Sequence, residues 1–214
     1  MPNPVNWRWD QGRLQYFDYE NIKKIASALV KLEGTVIRVP GQDPLREPLM
    51  RDTNLPFAVP STHSIWRNYA RVFGCTLLAG QLDDRLVCTS LCHAAAGSNN
   101  QLLADDYFSH VATRFYFPGP MFKDYSPDEP QIFPFCAVIK FLLAKAAKGE
   151  PAIVSVEELL SKVVGNDCTG TESISHYERL QPTAYAGTGD EIRQIRELLR
   201  FISQLSFLKW ASPV

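Results

Sequence analysis

The stretch SIWRNYARVFGCTLLAGQLDDRLVCT, residues 64–89, narrows the possible folds more than any other. Its first part reads as a two-faced helix. At about 100° per residue, Ile65, Trp66, Tyr69, Ala70, Val72 and Phe73 share one side. Ser64, Arg67, Asn68 and Arg71 share the other. Ser61 or Thr62 is placed to cap the start, and Gly74 to stop the end. Two short apolar runs around the polar turn GQLDD follow without a linker, which is a hairpin signal. The apolar side must be buried and the hairpin must pack close by. The class is therefore mainly helical with short β-hairpins, α+β.

The chain upstream supplies the remaining helices of such a unit. YENIKKIASALVKLE places Ile22, Ile25, Ala26, Leu29 and Leu32 on one helical face, and Gly34 ends it. A loop rich in Pro and Asp follows, with one short helix over Leu45–Arg51. After the hairpin, Thr89 caps SLCHAAAG. The segment 100–117 reads as helical and ends in the aromatic run RFYFPGP. Residues 118–132 carry four prolines and read as a linker or surface loop.

The second half repeats the plan. Pro134 suits the first turn of FPFCAVIKFLLAKAAKG, which Gly149 ends. Ser155 and Glu158 form a capping-box pattern that opens EELLSKVVG. An irregular stretch, NDCTGTESISHYERLQPTAYAGTG, precedes a long helix, DEIRQIRELLRFISQL, with Asp190 as its cap. Ile192, Ile195, Leu198, Leu199, Ile202 and Leu205 form its apolar side. Arg193, Arg196 and Arg200 fall within about 60° of one another on the opposite side, with Gln204 beside them and Glu197 partly offsetting their charge. Arg can hold guanine through two hydrogen bonds and Gln can hold adenine. The plain alternative for such a stripe is a solvated helix face. The chain then reads as a strand, SFLKWAS, that needs either a return strand beyond Val214 or an edge elsewhere to add to.

A basic helix followed by a hairpin is the pattern of a winged helix, in which the helix enters the major groove and the wing lies on the backbone. Two such modules in tandem are expected: 1–117, with its N-terminal aromatic segment, and 118–214, truncated within its wing. Asp83 and Asp84 make the first wing acidic, which counts against close phosphate contact by its tip. The pattern resembles the DNA-recognition region of restriction endonucleases of the FokI type. The residues that carry the resemblance are NWRWDQGRLQYFDYENIKKI, then IWRNYARVFGCTLLAGQLDDRLVCTSLCHAAAG, then IRELLRFISQLSFLKW. The resemblance implies recognition of double-stranded DNA by sequence or by base modification. It also implies a separate C-terminal nuclease domain, with magnesium needed only there. A winged-helix transcription regulator and a protein-interaction module are the competing classes, and the formal net charge of -1 favours the latter.

No catalytic centre is expected in the chain itself. A metal-dependent restriction core needs an acid two residues before a Lys, and neither Lys140 nor Lys209 has one. The four His residues are dispersed. Cys88, Cys92 and His93 fit no common zinc spacing, so no metal or cofactor is expected. The five Cys residues, odd in number and without a C-x-x-C pair, read as reduced thiols of a cytoplasmic protein. No apolar run is long enough to span a membrane. Trp7, Trp9 and Tyr116 are candidate base-contacting aromatics of a cage for a modified or flipped base. Core packing is the commoner role for such rings.

Overall fold

Asp18 opens the first helix of the computed structural model, its carboxylate accepting from Glu20 N at 3.0 Å. The structure describes Trp7, Trp9 and residues 16–37, 39, 41–58, 63–97, 102–119, 128 and 130–211. Helix α1 (Tyr19–Lys31) buries Ile22, Ile25, Ala26, Ala28 and Leu29. Helix α2 (Arg46–Thr53) and helix α4 (Ser90–Ala96) pack against it. Helix α3 spans Ile65–Cys75, and its N-cap is Ser64, whose hydroxyl accepts from Arg67 N. The expected caps Ser61 and Thr62 lie outside the described residues.

Strands β1 (Ala79–Leu82) and β2 (Arg85–Cys88) pair antiparallel, with Leu82 opposite Arg85 and Ala79 opposite Cys88. The turn is only two residues long. Asp83 and Asp84 both take positive φ, 48° and 58°, as a twist-matched hairpin turn requires and as Asp tolerates. A third segment joins this sheet. Gly34 N donates to Leu86 O, Leu86 N to Thr35 O and Ile37 N to Asp84 O, at 2.8–2.9 Å. The stretch after α1 thus lies antiparallel along β2, a pairing that local sequence does not announce.

Helix α5 covers Ala104–Arg114, shorter at both ends than the expected 100–117. Phe117 and Ile132 then exchange two backbone hydrogen bonds and close the Pro-rich loop between them. Helix α6 (Pro134–Ala147) starts on Pro134 as expected. Helix α7 (Val156–Lys162) is capped by Ser155, but only half of the capping box forms. The Glu158 carboxylate is taken by Lys145 and Lys162, at 2.9 and 3.0 Å. A short helix, α8 (Ile174–Tyr177), interrupts the stretch expected to be irregular.

Helix α9 spans Gly189–Ile202. Its cap is Thr188 rather than Asp190, because Thr188 and Glu191 form a complete capping box. The expected terminal strand does not form. Residues 206–207 turn, and 208–211 pair with no other strand among the described residues.

The chain divides into two units. One comprises Gly12–Val111 with Gln204–Ser206, and the other Met1–Gln11, Ala112–Ser203 and Phe207–Val214. The core of the first gathers Tyr16, Phe57, Tyr69 and Phe73 around α3. The core of the second centres on Trp9, whose ring meets Phe115, Phe135 and Phe201 at 4.9–5.2 Å.

Candidate nucleic-acid interface

In the first unit, α3 turns its apolar side inward and leaves Arg67 and Arg71 exposed, with Asn68 half-buried. Two fixings set its pose. Trp66 Nε1 donates to Gln81 Oε1 of β1 at 2.9 Å, which ties the helix to the hairpin. Asp43 Oδ2 accepts from Ile65 N at 2.8 Å and pairs with Arg46 Nε at 3.1 Å. Arg46 in turn donates to His63 O. Asp43 therefore anchors the start of α3 from about twenty residues away, a role that no local pattern marks. Ser64 serves as the cap, so its hydroxyl is already engaged with the backbone. Asp83 and Asp84 are exposed at the hairpin tip.

In the second unit, α9 exposes Arg193, Arg196 and Arg200 and buries Ile195, Leu198, Leu199 and Ile202. Arg193 pairs with Asp190 at 3.1 Å, a surface ion pair of small energetic weight. Arg196 and Arg200 enter no ion pair among the described residues. Its own backbone N–H and the Ser155 hydroxyl hold the Glu157 carboxyl below its usual range, and Arg196 adds to this. The Arg200 guanidinium lies 5.1 Å from the centre of the Trp210 ring, within cation–π range.

Two residues placed on this stripe by the helical wheel are elsewhere. Glu197 is only 6% exposed, so it does not offset the arginines at the surface. Gln204 follows the end of α9 and donates to Phe17 O at 2.8 Å, a backbone tie rather than a base-reading side chain on the helix. The wheel also gave no sign that Gln194 is buried. Its Oε1 accepts from Trp9 N at 2.8 Å.

Of the aromatic candidates, Trp7 and Trp9 are buried. Their rings pack in the core and present no face to a ligand. Tyr116 is half-buried and lies 5.8 Å from Phe133.

Among the described residues, no group of three or more His, Cys, Asp and Glu is arranged to hold a metal ion. Cys168 Sγ lies 3.8 Å from His176 Nε2, a spacing that invites comparison with a nucleophile–base pair. Burial, with Glu172 and Asp167 nearby, pushes that thiol up to about 12. It therefore stays protonated, which is the opposite of an activated cysteine. No described helix is long and apolar enough to cross a membrane.

No protein-family model matches the chain, and no curated protein matches it by sequence. The fold is similar to that of the BpuJ1 endonuclease binding domain, solved in complex with pyrene- and phenanthrene-modified DNA. The TM-score is 0.60 at 12% sequence identity, over 98% of this chain and 80% of that one. The endonuclease resemblance expected from the sequence thus meets a structural likeness to this binding domain and not to the FokI type in particular.

Proposed function

We propose that this chain is a recognition region for double-stranded DNA, belonging to a restriction endonuclease. The observation that carries the reading is the fold likeness to an endonuclease binding domain across nearly the whole chain. The exposed arginines of α3 and α9 give that likeness a chemical basis. Each helix buries one side in its own unit and turns Arg outward on the other.

In the first unit, helix, sheet-pairing segment, helix, helix and hairpin follow one another. That order supports a winged helix, with α3 as recognition helix and β1–β2 as wing. Arg67, Asn68 and Arg71 are its reading face. The acidic turn at Asp83 and Asp84 would keep the wing tip off the phosphates. In the second unit, α9 takes the corresponding role with Arg193, Arg196 and Arg200. Arg suits either bidentate contact with guanine or clamping of phosphate.

Sequence readout is the reading that the buried Trp7 and Trp9 leave in front, since an aromatic cage for a modified base needs exposed rings. Cleavage would belong to a separate nuclease domain that binds its own magnesium. The cytoplasm is the compartment in which such an enzyme would meet DNA.

The test is a salt titration of duplex binding by the whole chain. Phosphate contacts predict a log–log slope of about −0.9 per neutralised phosphate. Weak, salt-independent association would instead favour a protein-interaction module.

A further inference from the structure

The second unit contains a cleft of about 860 Å³ whose apolar floor DNA recognition does not use, although Arg196 of the α9 stripe stands at its side. Its floor is apolar: Val138, Leu142, Val156, Leu199 and Ile202. Two backbone stretches, 152–155 and 207–211, also line it. Both carry unusual exposure for apolar residues, with Ile153 at 69% and Phe207 at 65%.

Along 207–211 burial alternates. Leu208 and Trp210 are half-buried, while Phe207, Lys209 and Ala211 are exposed. That is the two-residue period of a strand with one side on a core. Yet among the described residues no backbone hydrogen bond engages 207–211, nor the amides of Ala152 and Val154. The first unit shows what such edges do when satisfied. There, the stretch after the first helix, Gly34–Ile37, lies along β2 in an antiparallel ladder. In the second unit the stretch after its first long helix, 151–154, and the stretch after its last one both lack such a strand. An unpaired edge beside an apolar floor is a template for strand addition.

The charges specify the occupant further. Arg196 and Lys209 line the cleft, Arg200 lies over its Trp210 wall, and Glu157 is its one acid.

We propose that this cleft is a strand-addition site for an extended segment of a partner polypeptide, one that alternates apolar with acidic residues. The apolar side chains would meet the floor, the acids would face Arg196 and Lys209, and the backbone would pair with 207–211 or 152–154. The site shares Arg196 and Arg200 with the proposed DNA-facing stripe of α9, but its apolar floor and the 207–211 edge serve only the peptide, so neither reading requires the other.

The probe is a blocked peptide of about seven residues alternating valine with aspartate, added to the whole chain. Binding is expected, with amide exchange at Ala152, Val154, Leu208 or Trp210 slowed roughly tenfold or more. Lys209→Glu should weaken it roughly tenfold, and a central proline in the peptide should abolish it. Unchanged exchange would overturn the proposal. So would equal binding of the proline peptide, which would make the cleft a generic apolar patch. Sedimentation showing that a second copy of the chain occupies the cleft, or duplex DNA protecting the same amides, would also overturn it.

Discussion

Glu172 collects four hydrogen bonds: from Thr169 N, Thr169 Oγ1, Gly170 N and Tyr177 Oη, at 2.6–2.8 Å. Burial alone would raise its pKa, but the bonds to its charged form prevail and bring it down from 4.5 to about 2. A depressed carboxyl contributes stability above its unfolded value and loses it as pH falls through its folded value. Stability should therefore decline between about pH 4.5 and about pH 2. Glu172→Gln should flatten that part of the profile, as measured by denaturant unfolding at a series of pH values. An identical acid profile in the variant would mean that the loop does not depend on this charge. Gly170, in the same loop, has φ +89°, and a Cβ there would stand 2.3 Å from Phe133 O. Gly170→Ala should cost about 2 kcal/mol or more, since backbone strain and a clash with main chain add together. A thermal melt within a degree or so of wild type would contradict this.

At the scale of elements, the start of α9 rests on the reciprocal bonds of Thr188 and Glu191. Thr188→Ala should destabilise the second unit by about 1 kcal/mol, and Asp190→Ala by much less. Equal effects in denaturant titrations would restore Asp190 as the cap. That displacement shows where sequence reasoning reaches and where it stops. Thr89, Ser155 and Pro134 were legible because capping is settled within a few residues. The β1–β2 hairpin was legible for the same reason. The pairing of Gly34–Ile37 with β2 was not, because its partner lies some fifty residues away and the stretch has no alternation of its own. The outward Arg positions on α3 and α9 followed directly from helical periodicity. Which polar residues of α9 become buried did not. Gln194 and Glu197 are covered by neighbours that a wheel does not contain, Trp9 among them for Gln194. The terminal run FLKWA, 207–211, keeps a strand's alternation of burial without a strand's hydrogen bonds. Pattern alone records the first property and not the second.

For the whole molecule, DNA recognition as proposed requires a chain of net charge -1 to bind a polyanion. Helices α3 and α9 each turn two or three arginines to the surface, while some of the chain's acids are engaged in its own fold. Glu158 is held by Lys145 and Lys162, Glu172 by its loop, and Glu191 by the Thr188 cap and Tyr185. Local rather than global charge is then the quantity that matters. Arg67, Arg71, Arg193, Arg196 and Arg200 are exposed, so replacing each with Ala should change stability by only about 0.5 kcal/mol. DNA recognition by these helices is tested by duplex affinity at several salt concentrations for the five single variants, with melting temperature as control. Intact folding and weaker binding are expected. A base-reading Arg should cost about 1–3 kcal/mol and relax preference at one base pair, and a phosphate-contacting Arg should lower the salt slope by about one. Wild-type affinity and slope in all five, with melting unchanged, would contradict it.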